Sequence, residues 1–269
     1  AVRSVLRTPS ATVGLAVVLF WVGCASFWPL VVPYDPAAQD ATALLARPSA
    51  AHLFGTDHLG RDVLSRVLAG SREVLLLAPA ATLLGLLGGI AVGLSAAYYR
   101  GWYDEVLMRV MDAVMAFPFI ILALLILAVT GPSARNVILV IGLAYIPLTG
   151  RVVRAAALSV RDLDYVAAAR LRGARGPDIM VTEILPNITG PIVVEATIRV
   201  GYAIFAAASL SFLGLGVPPP SPNWGAMINE TRLYLTLNPA IVLAPTLAIA
   251  SLVVAVNLVA DGLRRAVRA

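Results

Sequence analysis

Residues 164–187 read DYVAAARLRGARGPDIMVTEILPN. This is a polar, arginine-bearing island with its own helix signals, set between two strongly apolar runs. Asp164 is a residue type favoured at an N-cap, and 165–172 is rich in helix formers. Gly173 marks a helix end or sharp turn. Gly176-Pro177-Asp178 restarts the chain with Pro at the first position of a second helix. Pro186-Asn187 introduces the next apolar run. The expectation is helix–turn–helix lying along one membrane face. Ala167, Ala168 and Ala169 give it a small face that a partner could approach closely. Arg170, Arg172 and Arg175 could pair with acidic groups on that partner. A solvated loop that only satisfies a charge bias is the competing reading.

The rest of the chain supplies the membrane. Hydrophobic residues make up 59% of 269 and charged residues 13%, about half the charged share of ordinary soluble domains. Charge-poor runs lie at 13–32, 74–99, 113–134, 136–150, 188–214 and 237–260. About 20 helical residues cross the roughly 30 Å hydrocarbon layer. The weakest run, 136–150, reaches that length if Arg151 and Arg154 snorkel outward. Six spans put both termini on one side. If that side is cytoplasmic, thirteen Arg face inward and six outward, with Arg199 inside a span. The excess supports both termini in the cytoplasm, and places 164–187 there too. The first run could instead be a cleaved signal peptide, since Val22-Gly23-Cys24 hints at a lipoprotein cleavage site. Trp21 stands where such sites want an aliphatic residue, and hydrophobicity continues through Val32, so a retained span is expected. The chain opens on Ala1 rather than Met, which leaves room for a short preceding piece.

Several chemistries are excluded. All 20 basic residues are Arg, so neither a lysine-bearing phosphate loop nor Schiff-base chemistry is available. Cys24 is the single cysteine, which rules out an internal disulfide. His52 and His58 are the only histidines, too few for a metal site by themselves. The net positive charge reads as cytoplasmic bias, not as nucleic-acid binding. Ser209 and Ser211 have no histidine nearby, and both histidines fall in the 33–72 loop, so an intramembrane enzyme is not expected. Gly85, Gly88, Gly89 and Gly93 form a small-residue face for close helix approach. Glu195 and Arg199 stand one turn apart within a span. Intramembrane charges pair or line cavities, so the two could neutralise each other or face a zwitterionic solute. A proton-coupled secondary transporter could use Glu195, but would leave 164–187 unexplained.

The island resembles the EAA loop of ABC importer permeases: E-A-A, three residues, G, nine residues, I-x-L-P. Ala167-Ala168-Ala169 matches the triplet, Gly173 the glycine, and Leu185-Pro186 the ending. Ala167 replaces the usual Glu, and Glu183 stands where Ile is expected. Two further segments resemble dipeptide/oligopeptide importer permeases. One is Phe54 to Arg66, with Gly55, Thr56, Asp57, Gly60, Arg61, Asp62, Ser65 and Arg66 matching GTDxxGRDxxSR. The other is Leu210 to Met227, similar to the LSFLGLGVxPPxPxWG stretch of the C-type subunit, and it includes Ser211.

The resemblance implies an all-α integral membrane protein of six helices, with the type I ABC importer transmembrane fold. Residues 1–72 would form the first helix and external loop. Residues 73–269 would form a five-helix core with a coupling loop at 160–187. The implied protein is one half of a heterodimeric channel in the bacterial inner membrane, translocating dipeptides or oligopeptides. Nickel and glutathione importers share these motifs and stay open as alternatives. The implied partners are a second, B-type permease, two ATP-binding subunits or one fused pair, an external substrate-binding protein, membrane lipid and the peptide. The permease itself would be non-catalytic and bind no cofactor, with ATP and Mg held by the partner subunits. Asp164, Tyr165, Ala167, Ala168, Ala169, Arg170, Arg172, Gly173, Leu185 and Pro186 would form the ATPase-coupling loop. The Gly55–Arg66 signature would be a self-pairing solvated lid or a docking surface. Glu195, Arg199 and Ser211 are the candidates for the translocation pathway.

Overall fold

A computed structural model describes residues 9–268. Arg3 and Arg7 of the charge argument, and the side chain of Arg268, lie outside the described residues. Ten α-helices carry the described chain: α1 Pro9–Val31, α2 Val63–Tyr99, α3 Gly101–Met115, α4 Phe119–Thr130, α5 Ala134–Val160, α6 Asp164–Leu171, α7 Gly176–Ile179, α8 Thr189–Phe212, α9 Trp224–Thr231 and α10 Ala240–Arg268. Five segments are long and apolar enough to cross a membrane, and six if α3 and α4 count together as one bent span.

That bend corrects the expectation of a continuous third span at 113–134. The chain turns by 82° between α3 and α4. Pro118 lacks an N–H and biases Phe117 away from helical geometry, so Ala116 to Pro118 cannot carry the helix through. With 12 residues, α4 is about 18 Å long and cannot span the hydrocarbon layer alone. Two further boundaries move. Helix α2 starts at Val63 and runs unbroken for 37 residues, so a division between 72 and 73 falls inside one helix. Arg66, Arg72 and Glu73 are tolerated there because a helix of about 55 Å extends past the bilayer. The weak fourth run is a full 27-residue helix, α5. Arg151 and Arg154 do not snorkel freely; they pair with α3. Arg154 grips Asp104 with two bonds of 2.5 and 2.6 Å, and Arg151 pairs with Asp112.

The centre of the molecule is the α2–α5 pair. A Cβ added to Gly85 would stand 2.6 Å from Tyr145 Cβ, and one added to Gly89 2.5 Å from Thr149 Cβ. The expected small-residue face therefore exists and lets two backbones approach closely. Against it pack α1, α8, α9 and α10, joined by Trp21, Trp224, Ile204, Leu210, Ile241 and Leu252. A second, separate apolar cluster lies at the far end of α2 and α5, directly beneath the polar island.

Candidate functional site

The polar island is seated by that second cluster. Val166 and Ala169 on α6, with Ile179, Ile184 and Ile188 beyond it, are 0–2% exposed and meet Leu94, Ala97, Val153 and Ala157. Burying each isoleucine contributes roughly 1.5–3 kcal/mol. Ile179 and Ile184 are five residues apart, a spacing that an α-helix would place on different faces. Residues Met180–Ile184 form a π turn, whose wider step brings the two side chains to one face.

The turn after α6 is a Schellman motif. Gly173 N–H donates to Arg170 O (2.9 Å) and Ala174 N–H to Ala169 O (3.2 Å), with Gly173 at φ +78°. Glycine adopts that left-handed geometry without a Cβ penalty. Asp164 does not cap the helix: it is the first residue inside α6, after an extended Leu163, and makes no capping bond. Its carboxylate still suits the positive end of the helix. The alanine triplet is split. Ala169 is buried inward, Ala167 is exposed and Ala168 is half-exposed. Tyr165 is half-buried beside Val166.

The arginines divide in the same way. Arg170 folds back, with its guanidinium 5.4 Å above the Tyr98 ring and a hydrogen bond to Arg161 O at 3.5 Å. Arg172 pairs loosely with Glu183 at 3.6 Å, so the two departures from the usual motif region include one that supplies an internal partner. Arg175 stays exposed. Leu171 is 90% exposed, while Leu185 packs against the cluster and Pro186 is exposed.

One contributor was not singled out from the sequence. Arg161, buried at the end of α5, donates to the Ala97 and Tyr98 carbonyls (2.5 and 2.9 Å), closing the end of α2. It also holds Asp162 at 2.9 Å, and Arg100 approaches the same carboxylate at 3.4 Å. The Arg161 hydrogen bond, then the charges of Arg161, Arg100 and Arg170, keep the Asp162 carboxyl below the usual carboxylate range. The sequence offered only a basic residue at a helix end, where carbonyls lack partners.

At the opposite end, the charged side chains of the Gly55–Arg66 signature pair with one another as the self-pairing alternative has it, but they are buried and not solvated. Asp57, Arg61, Asp62 and Arg66 are 1–4% exposed. Arg61 bonds Asp57 at 2.6 Å and Glu230 of α9 at 2.7 Å; Arg66 lies 3.7 Å from Asp57 and 3.8 Å from Glu230. Asp62 caps α2 through Ser65 N–H (2.8 Å) and also takes the Ser65 hydroxyl and His52 Nδ1. Thr56 hydroxyl and Ala46 N–H tie the loop to itself. Gly55 and Gly60 both sit at φ +75°. The loop therefore clamps α2 to α9. Asp57, His58 and Glu230 bring three ligand atoms within 4.8 Å of one another. The two guanidiniums already occupy those carboxylates, so the cluster is an ion-pair network.

Among the pathway candidates, Glu195 and Arg199 pair at 2.6 Å. Arg199 also lies over Tyr145 and Tyr202, 5.5 and 5.8 Å from the ring centroids. The self-neutralising alternative is the one this geometry matches. Ser211 is buried, with Gly216 and Gly225 packed against it.

The model of the binding-protein-dependent transport system inner membrane component matches residues 89–269. The chain belongs to this permease family. Residues 1–48 match the N-terminal transmembrane domain of oligopeptide transport permease C, which assigns the permease to the C-type branch. It is 41% identical over 265 residues to the glutathione transport system permease protein GsiD of Pectobacterium atrosepticum, covering 98% of this chain and 88% of the relative. It is 38% identical over 266 residues to the dipeptide transport system permease protein DppC of Alkalihalophilus pseudofirmus, covering 99% and 88%. For the di/tripeptide permease DppC of Pseudomonas aeruginosa the values are 40% over 270 residues, 98% and 89%. The permease also shares its fold with a chain of the inward-facing MetNI methionine ABC transporter, with a TM-score of 0.62 at 20% identity over 75% of this chain and 96% of that one. It is thus a multi-pass inner-membrane permease subunit of an ABC importer.

Proposed function

We propose that this permease imports dipeptides or short oligopeptides as one half of a heterodimeric channel, driven through loop 164–187 by ATP-binding subunits. The observation that carries the reading is the two-sidedness of that loop. Its inner face is locked to α2 and α5 by buried isoleucines. Its outer face shows Leu171, Arg172 and Arg175, a surface fitted to receive another protein. A push on α6 would travel through Val166, Ala169 and Arg161 into the ends of the two central helices. Such rigid-body displacement is one way to alternate access.

Peptide as cargo is supported by the named relatives, whose solutes are dipeptides, tripeptides or the peptide-like glutathione. The inward position of 164–187, and with it both termini, rests on the arginine bias. An external binding protein would deliver the peptide, and ATP with Mg would act on the partner subunits; this chain would do no covalent chemistry. The ion-paired state of Glu195 weakens the proton-coupled alternative.

Gly173→Pro tests the reading. Proline requires φ near −65° and lacks the N–H that Gly173 donates, so the Schellman turn must open. In vesicles holding the whole complex, dipeptide-loaded binding protein should stimulate ATP hydrolysis in wild type and not in the variant, with assembly retained. Equal stimulation in both would remove the loop from the transmission path.

A further inference from the structure

A cavity of about 380 Å³ lies between the ends of α1 and α2 on the side of the 32–62 loop, walled by Trp28, Ala69, Leu76, Arg72, Asp35 and the 220–222 segment. Its rim is fixed. Glu73 accepts hydrogen bonds from Ser221 and Asn223, and Asn223 in turn caps α9. Pro220 and Pro222 stiffen the edge. The wall is apolar toward the helices and charged at the mouth. Arg72 is exposed and has no hydrogen-bond or ion-pair partner among the described residues. Asp35 has one carboxylate oxygen engaged by Ala37 N–H at 2.8 Å, and its other oxygen has no partner among the described residues.

Two features set the level of this cavity in the membrane. Arg72 and Glu73 immediately precede the charge-free run of α2, and Trp28 lies in the last turns of α1. Tryptophan favours the headgroup boundary, and arginine beside it reaches phosphate. The cavity therefore straddles the boundary between headgroups and acyl chains. It is at the small end of the ligand-pocket range, enough for a headgroup and the first methylenes of one chain.

We propose that it holds a phospholipid with a primary-ammonium headgroup, of the phosphatidylethanolamine type. The phosphate would sit on Arg72, the ammonium on Asp35, and the upper acyl chain along Trp28 and Leu76, with Ala69 leaving room for the headgroup. One free cation and one half-free carboxylate at the same mouth complement a zwitterion, whereas a purely anionic headgroup would meet Asp35 and Glu73 unfavourably. A quaternary headgroup has no N–H to donate to Asp35. The bound lipid would staple α1 to α2 and to the proline-rich rim. The membrane orientation proposed above matters only for naming the leaflet, so failure of the import reading leaves this proposal standing.

The test is lipid retention by the intact transporter complex. The complex is washed in mild detergent, equilibrated with equal phosphatidylethanolamine, phosphatidylcholine and phosphatidylglycerol, and examined by native mass spectrometry. Wild type should keep one phosphatidylethanolamine in preference to the other two. Arg72→Gln should lower that retention roughly tenfold, the scale of one lost charge-assisted hydrogen bond. Asp35→Asn should shift the preference toward phosphatidylglycerol. Equal retention of all three lipids, unchanged retention in Arg72→Gln, or displacement of the lipid by saturating dipeptide would overturn the proposal. If a variant does not assemble, wild type alone decides. A phosphatidylethanolamine carrying a photoreactive group high on its acyl chain should label Trp28 or Leu76 in vesicles, and labelling confined to other helices would overturn it.

Discussion

The two polar regions of this permease carry comparable motifs and opposite fates. In the Gly55–Arg66 loop, four charged side chains are buried and tied to Glu230 and His52. In the 164–187 loop, apolar side chains are buried and most charges remain outside. A buried charge must find its partner within the chain or leave an uncompensated desolvation cost. An exposed charge is free to meet another molecule. The first loop is therefore a clamp that completes the fold, and the second is a platform that the fold holds out.

The contrast can be broken by matched substitutions. Asp57→Ala leaves Arg61 and Arg66 buried with one carboxylate fewer, and should destabilise the purified subunit by about 3–5 kcal/mol. Arg172→Ala removes only an exposed pair and should change stability by less than about 1 kcal/mol. Thermal unfolding of both in one detergent checks this. Similar losses would mean that the two loops do not differ in kind.

A second substitution separates holding from displaying. Leu171→Ala removes a side chain that touches little of its own chain, so stability should stay within about 0.5 kcal/mol of wild type. Binding to the ATP-binding subunit should nonetheless weaken severalfold in a titration. A large drop in unfolding temperature with binding unchanged would place Leu171 in the fold and not on the interface.

The smallest effect concerns pH. The Asp162 carboxyl is held low mainly by Arg161. A depressed carboxylate contributes stability that is complete above its unfolded value and fades as pH falls through its folded value. The link from α5 to Arg100 should therefore weaken only below the usual carboxylate range. The protection factor of amides at the α2–α3 junction, the pH-dependent intrinsic exchange rate divided by the observed rate, should be flat near neutrality and fall in acid, and Asp162→Asn should abolish that pH dependence. A fall already present near pH 7 would assign the effect to another group.

Much of this was legible in the sequence because it depends on local rules. Charge-free runs mark spans, Gly173 ends a helix, and glycines at four-residue spacing allow close approach. The break at Pro118 was also locally encoded, but an apolar run read by hydropathy alone hides it. The Asp57–Arg61 pair was legible from its i,i+4 spacing; the reach of Arg61 and Arg66 to Glu230, and the partners of Arg161 and Glu73, were not, since ion pairs and caps between distant segments leave no periodic trace. The split of the alanine triplet was likewise invisible, because facing depends on which helix lies beneath.

The sequence by itself determined that this chain lives in a bilayer, about where it crosses, and that a polar two-helix loop stands between two of the crossings. Those properties follow from transfer free energies and turn geometry, which act residue by residue. Only the tertiary structure decided that the Gly55–Arg66 signature is an internal clamp and that the isoleucines beyond Gly173 seat the 164–187 loop. It also brought Arg72, Asp35 and Trp28 to one cavity. Each of those outcomes needs two segments far apart in the chain to meet, and no local pattern specifies where a distant surface will be.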